Sequence, residues 1–149
     1  MKKTQAAKKI LNWLIVFTLA FIWGNSLLGR EASSSESSAV MELITPLLEV
    51  FVGRGNVTEH LVRKLAHFSE FALLGAEVML RFLLMEKPFR RAGLLAASHG
   101  LFAAFADETI QIFSGRGPMV QDMWIDFAGV IGGILFSSVI AGLPLRKER

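Results

Sequence analysis

Met123-Trp124-Ile125-Asp126-Phe127-Ala128-Gly129-Val130-Ile131-Gly132-Gly133-Ile134-Leu135-Phe136-Ser137-Ser138-Val139-Ile140-Ala141-Gly142-Leu143-Pro144-Leu145 contains one charged residue, Asp126. As a helix it would run about 35 Å, enough to cross a hydrocarbon core of roughly 30 Å. Three other stretches read the same way, near Ile10 to Leu28, Lys64 to Met85 and Ala92 to Phe113. Charges gather in short clusters between these stretches instead of spreading as they would on a solvated surface. The expectation is an all-α integral membrane bundle of about four transmembrane helices, with spans at 10–28, 64–85, 92–113 and 123–145.

Composition supports one small domain over residues 1–149, because 52% of the residues are hydrophobic and mean hydropathy is +0.47. Cysteine is absent, which excludes disulfides and thiol chemistry. The net charge of +3 comes without a basic stripe and interleaved aromatics, so no nucleic-acid partner is expected. Trp13 and Trp23 lie near the ends of the first span, as interfacial aromatics would. A cleaved signal peptide is the competing reading of that span. The apolar run is long for one and lacks a clean small-x-small cleavage site.

Eleven Lys and Arg residues fall on one side of these spans, at the N-terminus, around Lys87 and at the C-terminus. Five fall on the other: Arg30, Arg54, Arg63, Lys64 and Arg116. The positive-inside rule then puts both termini in the cytoplasm, with the Lys87-Pro88-Phe89 turn. The link from Gly29 to Arg63 lies outside. It opens with the polar run Ser33 to Ser38, and Val40, Leu43, Ile44, Leu47, Leu48 and Phe51 then recur at helical spacing. This predicts an extracytoplasmic amphipathic helix after the first span. Packing on the spans is preferred to lipid sensing as its role.

Charged residues at bilayer depth need a reason. Arg63, Lys64, His67 and Glu70 start span two; Asp107, Glu108 and Gln111 end span three; Asp122 and Asp126 start span four. All three ends are extracytoplasmic in this topology, so helix direction alone brings these residues to one level, with Arg116 in the link between spans three and four. An ion-pair network that fixes helix register is the bland reading. The functional reading is a polar pocket open to the outer leaflet, in which His67 and Glu70 could act as acid and base. His and carboxylates can bind cations, but no H-E-x-x-H or comparable spacing is present, and neither a metal nor another cofactor is expected. His99 should bond a neighbouring helix, and Gly129 with Gly133 should mark close helix packing.

At these residues the chain resembles the VanZ-like membrane family, named for a glycopeptide-resistance accessory protein. The resemblance covers nearly the whole chain. It rests on Trp23-Gly24-Asn25-Ser26 leading into the serine run, Lys64-Leu65-Ala66-His67-Phe68-Ser69-Glu70-Phe71, Asp107 through Arg116, and Asp122 through Gly129. Asp126 stands where the family usually has Asn, and Phe71 where Tyr is common. The resemblance implies a bacterial cytoplasmic-membrane protein with a role in tolerance of lipoglycopeptides such as teicoplanin.

Three functions follow as alternatives. The first is a membrane factor that binds an envelope lipid, a cell-wall precursor or the drug, with Arg63, Lys64 and Arg116 holding an anionic group and Asp107, Glu108 and Gln111 orienting it. The second is an intramembrane enzyme for a lipid-linked substrate, and the third a proton-coupled transporter, which would require a dimer. Membrane lipids are expected partners, and self-association is left open.

Overall fold

A computed structural model describes residues 2–27, 41, 44–115, 117 and 119–145. The Ser33 to Ser38 run, Arg30, Val40, Leu43, Arg116 and the basic C-terminal end lie outside the described residues. The described chain is all-helical, with no strand. Four long helices cover the apolar stretches: α1 (Lys2–Leu27), α3 (Glu59–Leu84), α4 (Phe89–Phe113) and α5 (Val120–Leu145). A short helix, α2 (residues 44–52), precedes α3.

Local chemistry sets the helix ends. Thr58 has an extended backbone, and its hydroxyl accepts from the Leu61 N–H at 3.2 Å, capping α3 one turn earlier than the apolar stretch predicts. Pro88 sits at the N-cap of α4, where a missing N–H costs nothing.

Two of the four helices, over Thr4–Leu27 and Val120–Ile140, are long and apolar enough by themselves to cross a membrane. The sequence reading expected four. α3 falls short because it carries Glu70, Glu77 and Arg81 within its length; α4 because Ser98, His99, Asp107 and Glu108 interrupt its apolar residues.

α3 packs most extensively against α5. Gly133 lies against the Ala72 carbonyl and Gly129 against the Phe68 carbonyl, so a side chain at either position would collide with α3 backbone. Gly75 on α3 meets the Val130 backbone in the same way. These contacts account for Gly129 and Gly133 as packing residues. α4 buries a seam of small residues, Ala92, Ala96, Gly100, Ala103 and Ala104, which continues directly into Asp107, Glu108 and Gln111.

α1 runs antiparallel to α3 and is tied to it by three polar contacts at successive levels. Arg81 Nε donates to Asn12 Oδ1 at 2.6 Å, Thr18 Oγ1 donates to Glu77 Oε1 at 3.2 Å, and Asn25 Nδ2 donates to Glu70 Oε1 at 3.4 Å. Trp23 turns inward, its indole N–H reaching the Ala103 carbonyl at 3.5 Å, so it is not a lipid-facing belt residue. His99 also departs from expectation. Its Nδ1 donates to Leu95 O in its own helix at 2.7 Å, and it meets the neighbouring helix through a ring-edge contact with Phe82.

α2 bears out the packing expected of the amphipathic segment only in part. Ile44 and Leu48 are half-buried, but Leu47 and Phe51 on the same stripe are exposed, Phe51 by 79%. The bundle leaves much of this apolar face uncovered.

Candidate functional site

The start of α3, the end of α4 and the start of α5 meet at one end of the bundle around a cavity of about 210 Å³. Its lining includes Arg63, Lys64 and His67 from α3, Glu108 and Gln111 from α4, and Asp122 and Asp126 from α5. Seven of the ten residues selected from the sequence therefore share one cavity. Asp107 is fully buried beside it, with Gln111 Nε2 donating to its Oδ2 at 2.8 Å. Arg116 lies outside the described residues.

Glu70 is placed differently. It accepts from Asn25 on α1 and is not in the cavity lining. His67 instead faces Asp126, with Nδ1 3.7 Å from Oδ1. The structure thus adds a His67–Asp126 approach across two helices to the His67 and Glu70 pair read from the sequence.

The cations already have partners. Arg63 bonds Glu59 one turn earlier at 2.5 Å, and Lys64 Nζ lies 3.3 Å from Asp122 Oδ1. All four side chains are partly exposed, so they form the rim. Beneath them Glu108 and Gln111 are buried, and Glu108 Oε2 accepts from the Met119 N–H at 2.9 Å. That bond fixes the start of α5 against the end of α4.

Asp126 is the most buried of the residues that line the cavity, 1% exposed. It sits within electrostatic reach of Asp107, Glu108, Asp122 and Glu70. Charge buried among like charges is unfavourable unless a countercharge, a proton or hydrogen bonds compensate it. Neither carboxylate oxygen of Asp126 has a hydrogen-bond partner, nor has Asp107 Oδ1.

The sequence reading missed His60, Gly117, Met119 and Ile125 in the lining. His60 carried a usable signal, since it stands four residues before Lys64 and seven before His67 on the same helical face. Thr18 and Glu77, a buried polar pair at mid-bundle, were also missed.

The pattern of the family described as VanZ/LLP1 matches residues 10–141. No curated protein and no solved structure matches the chain.

Proposed function

The chain belongs to the VanZ/LLP1 family, and we propose that it is a four-span protein of the bacterial cytoplasmic membrane, termini inside, whose outer cavity holds the headgroup of an envelope lipid or lipid-linked wall precursor. The membrane reading is supported by side chains distributed inside out. Phe17 on α1, Leu73 on α3, Phe102 on α4 and Phe136 on α5 face outward, while Thr18, Glu77, Asp107, Glu108, Gln111, Asp126 and Ser137 are buried. Lipid accommodates that arrangement and water does not. α3 and α4 fall below the hydropathy of a lone span in part because of acidic and amide groups that are buried in the bundle, Glu77, Asp107, Glu108 and Gln111.

The headgroup reading rests on one observation, the polarity gradient of the cavity. Partly exposed Arg63 and Lys64 stand at the rim, and buried Glu108 and Gln111 stand beneath. A phosphate would exchange the surface partners of Arg63 and Lys64 for charge-assisted bonds, and attached hydroxyls would meet Glu108 and Gln111. Size selects the ligand class. A cavity of about 210 Å³ is smaller than the roughly 300–1,000 Å³ typical of sites for drug-sized ligands. A headgroup fits it better than a whole lipoglycopeptide. Tolerance of teicoplanin-type drugs would then follow from handling of an envelope lipid.

Native mass spectrometry of the detergent-released protein tests this. A polyprenyl phosphate or phosphatidylglycerol should be retained over phosphatidylcholine, in the presence of EDTA, and the preference should vanish in Arg63→Ala/Lys64→Ala. Equal retention of all three lipids by the wild type, or an unchanged preference in the double variant, refutes the reading.

A further inference from the structure

We propose that His67, Asp107 and Asp126 form a divalent-cation site of the zinc or manganese class at the floor of the cavity. One residue comes from each of α3, α4 and α5, and their candidate ligand atoms lie within 4.8 Å of one another. Donors held about 2.1 Å from a common ion in a tetrahedral shell are about 3.4 Å apart. Side-chain adjustments of about an ångström would close the set, with no movement of the helices.

Three buried carboxylate oxygens point to a cation. Asp126 Oδ1 and Oδ2 and Asp107 Oδ1 have no hydrogen-bond partner, although the two residues are 1% and 0% exposed. The His67 ring does not supply enough. Its Nδ1 is 3.7 Å from Asp126 Oδ1, beyond hydrogen-bond distance, and the single charge of an imidazolium would not balance two carboxylates. The remaining Asp107 oxygen, Oδ2, is held by the Gln111 amide, which fixes the carboxylate as an outer hydrogen bond fixes a metal ligand. Among the described residues, the nearby lysine and arginine side chains are engaged at the rim, Arg63 with Glu59 and Lys64 with Asp122.

The donor chemistry limits the ion. One imidazole nitrogen and two carboxylates form a borderline-to-hard set. With no cysteine in the chain, a soft thiolate site is excluded. The nitrogen disfavours calcium and magnesium, which take oxygen ligands. Three protein ligands would leave a coordination position open, and His67 and Asp126 both line the cavity, so that position would face it. The ion would neutralise the floor and pin three helices together. The site stands on these three residues and does not require the headgroup reading.

The test uses tag-free protein stripped with EDTA and titrated with Zn²⁺ or Mn²⁺ in detergent without added lipid. Calorimetry and elemental analysis after desalting should give about one ion per chain, and bound ion should raise the melting temperature. Asp126→Asn and His67→Ala should each weaken binding by more than ~10-fold, while Ser98→Ala, on an exposed part of α4, should not. Wild-type protein that binds neither ion at micromolar concentration overturns the proposal. So does undiminished binding in whichever variant remains monodisperse. The lipid measurement is made with EDTA, so either proposal can fail without the other.

Discussion

Gly132 and Gly133 are adjacent on α5, yet one added methyl group should affect them in opposite directions. At Gly132 a Cβ would meet only the tip of the Phe68 ring at 3.5 Å, an ordinary contact. At Gly133 it would collide with the Ala72 carbonyl and the Ala76 nitrogen. Alanine is favoured over glycine in a helix by ~0.8–1.0 kcal/mol, and this applies at both positions. Nothing opposes it at Gly132, so Gly132→Ala should be stabilising by up to about 1 kcal/mol. The obstacle at Gly133 is backbone, which cannot rotate away, so α5 must withdraw from α3. Overpacking typically costs about 1–3 kcal/mol, and a rigid obstacle argues for the upper end. After the helical gain, Gly133→Ala should lose about 2 kcal/mol, placing the variants roughly 2–3 kcal/mol apart. At ~2–4 °C per kcal/mol for a chain of this size, their melting temperatures should differ by about 4–12 °C. Tryptophan fluorescence during heating in detergent reads this directly, since Trp124 lies on α5. Gly133→Ala melting at or above Gly132→Ala would refute the packing argument.

Lys64→Asp and Asp122→Lys should each destabilise the cavity end, and the double reversal should recover stability. Both side chains are no more than about a third exposed, at 21% and 32%, and 3.3 Å apart; a coupling of about 1–2 kcal/mol is expected, above that of a fully exposed pair, and additive single effects in a double-mutant cycle would exclude it. The four-span topology predicts that a maleimide unable to cross membranes labels Arg54→Cys in intact cells and Arg90→Cys only after lysis. The absence of native cysteine removes background labelling, and equal labelling of the two in intact cells would rule the topology out.

The helices were legible because long apolar runs separated by charge clusters leave few other readings. The meeting of polar residues at one end followed from helix direction alone, and the contacts of Lys64 with Asp122 and of His67 with Asp126 lie where that argument puts them. Rotation about each axis was less legible. Glu70 and His67 are three residues apart, which separates them by about 60° around a helix, enough to change which neighbour a side chain meets. Glu70 shares its direction with Glu77, one heptad on, and both turn toward α1, to Asn25 and Thr18. The partners themselves were visible as Asn12, Thr18 and Asn25, spaced six and seven residues apart on an otherwise apolar helix. Their significance depends on which helix lies opposite, and sequence spacing does not give that. The metal-competent trio was hidden for the same reason, since its members come from three helices. Arg63 was credited with a free cationic role because its partner Glu59 preceded the expected start of the span.

The two sets of buried polar groups differ in place: one ties α1 to α3, and the other surrounds the cavity. Along the α1–α3 face three side-chain pairs meet, Asn12 with Arg81, Glu77 with Thr18 and Glu70 with Asn25, although Glu77 Oε2 is left without a hydrogen bond. Such pairs fix the register of two helices. Among the described residues no side chain of α1 lines the cavity, so this ladder holds the bundle together without entering the site. At the cavity, among the described residues, acids outnumber the lysine and arginine side chains. Glu108, Asp122 and Asp126 line it, with Asp107 behind, while Lys64 is paired to Asp122 and Arg63 to Glu59. Asp126 adds a further acid at the floor, 1% exposed. A purely structural network would gain nothing from a second buried carboxylate beside Asp107, because burying charge without compensation is destabilising. The excess acid at the floor is intelligible if a cation completes it, and the exchangeable cations at the rim are intelligible if an anion arrives there.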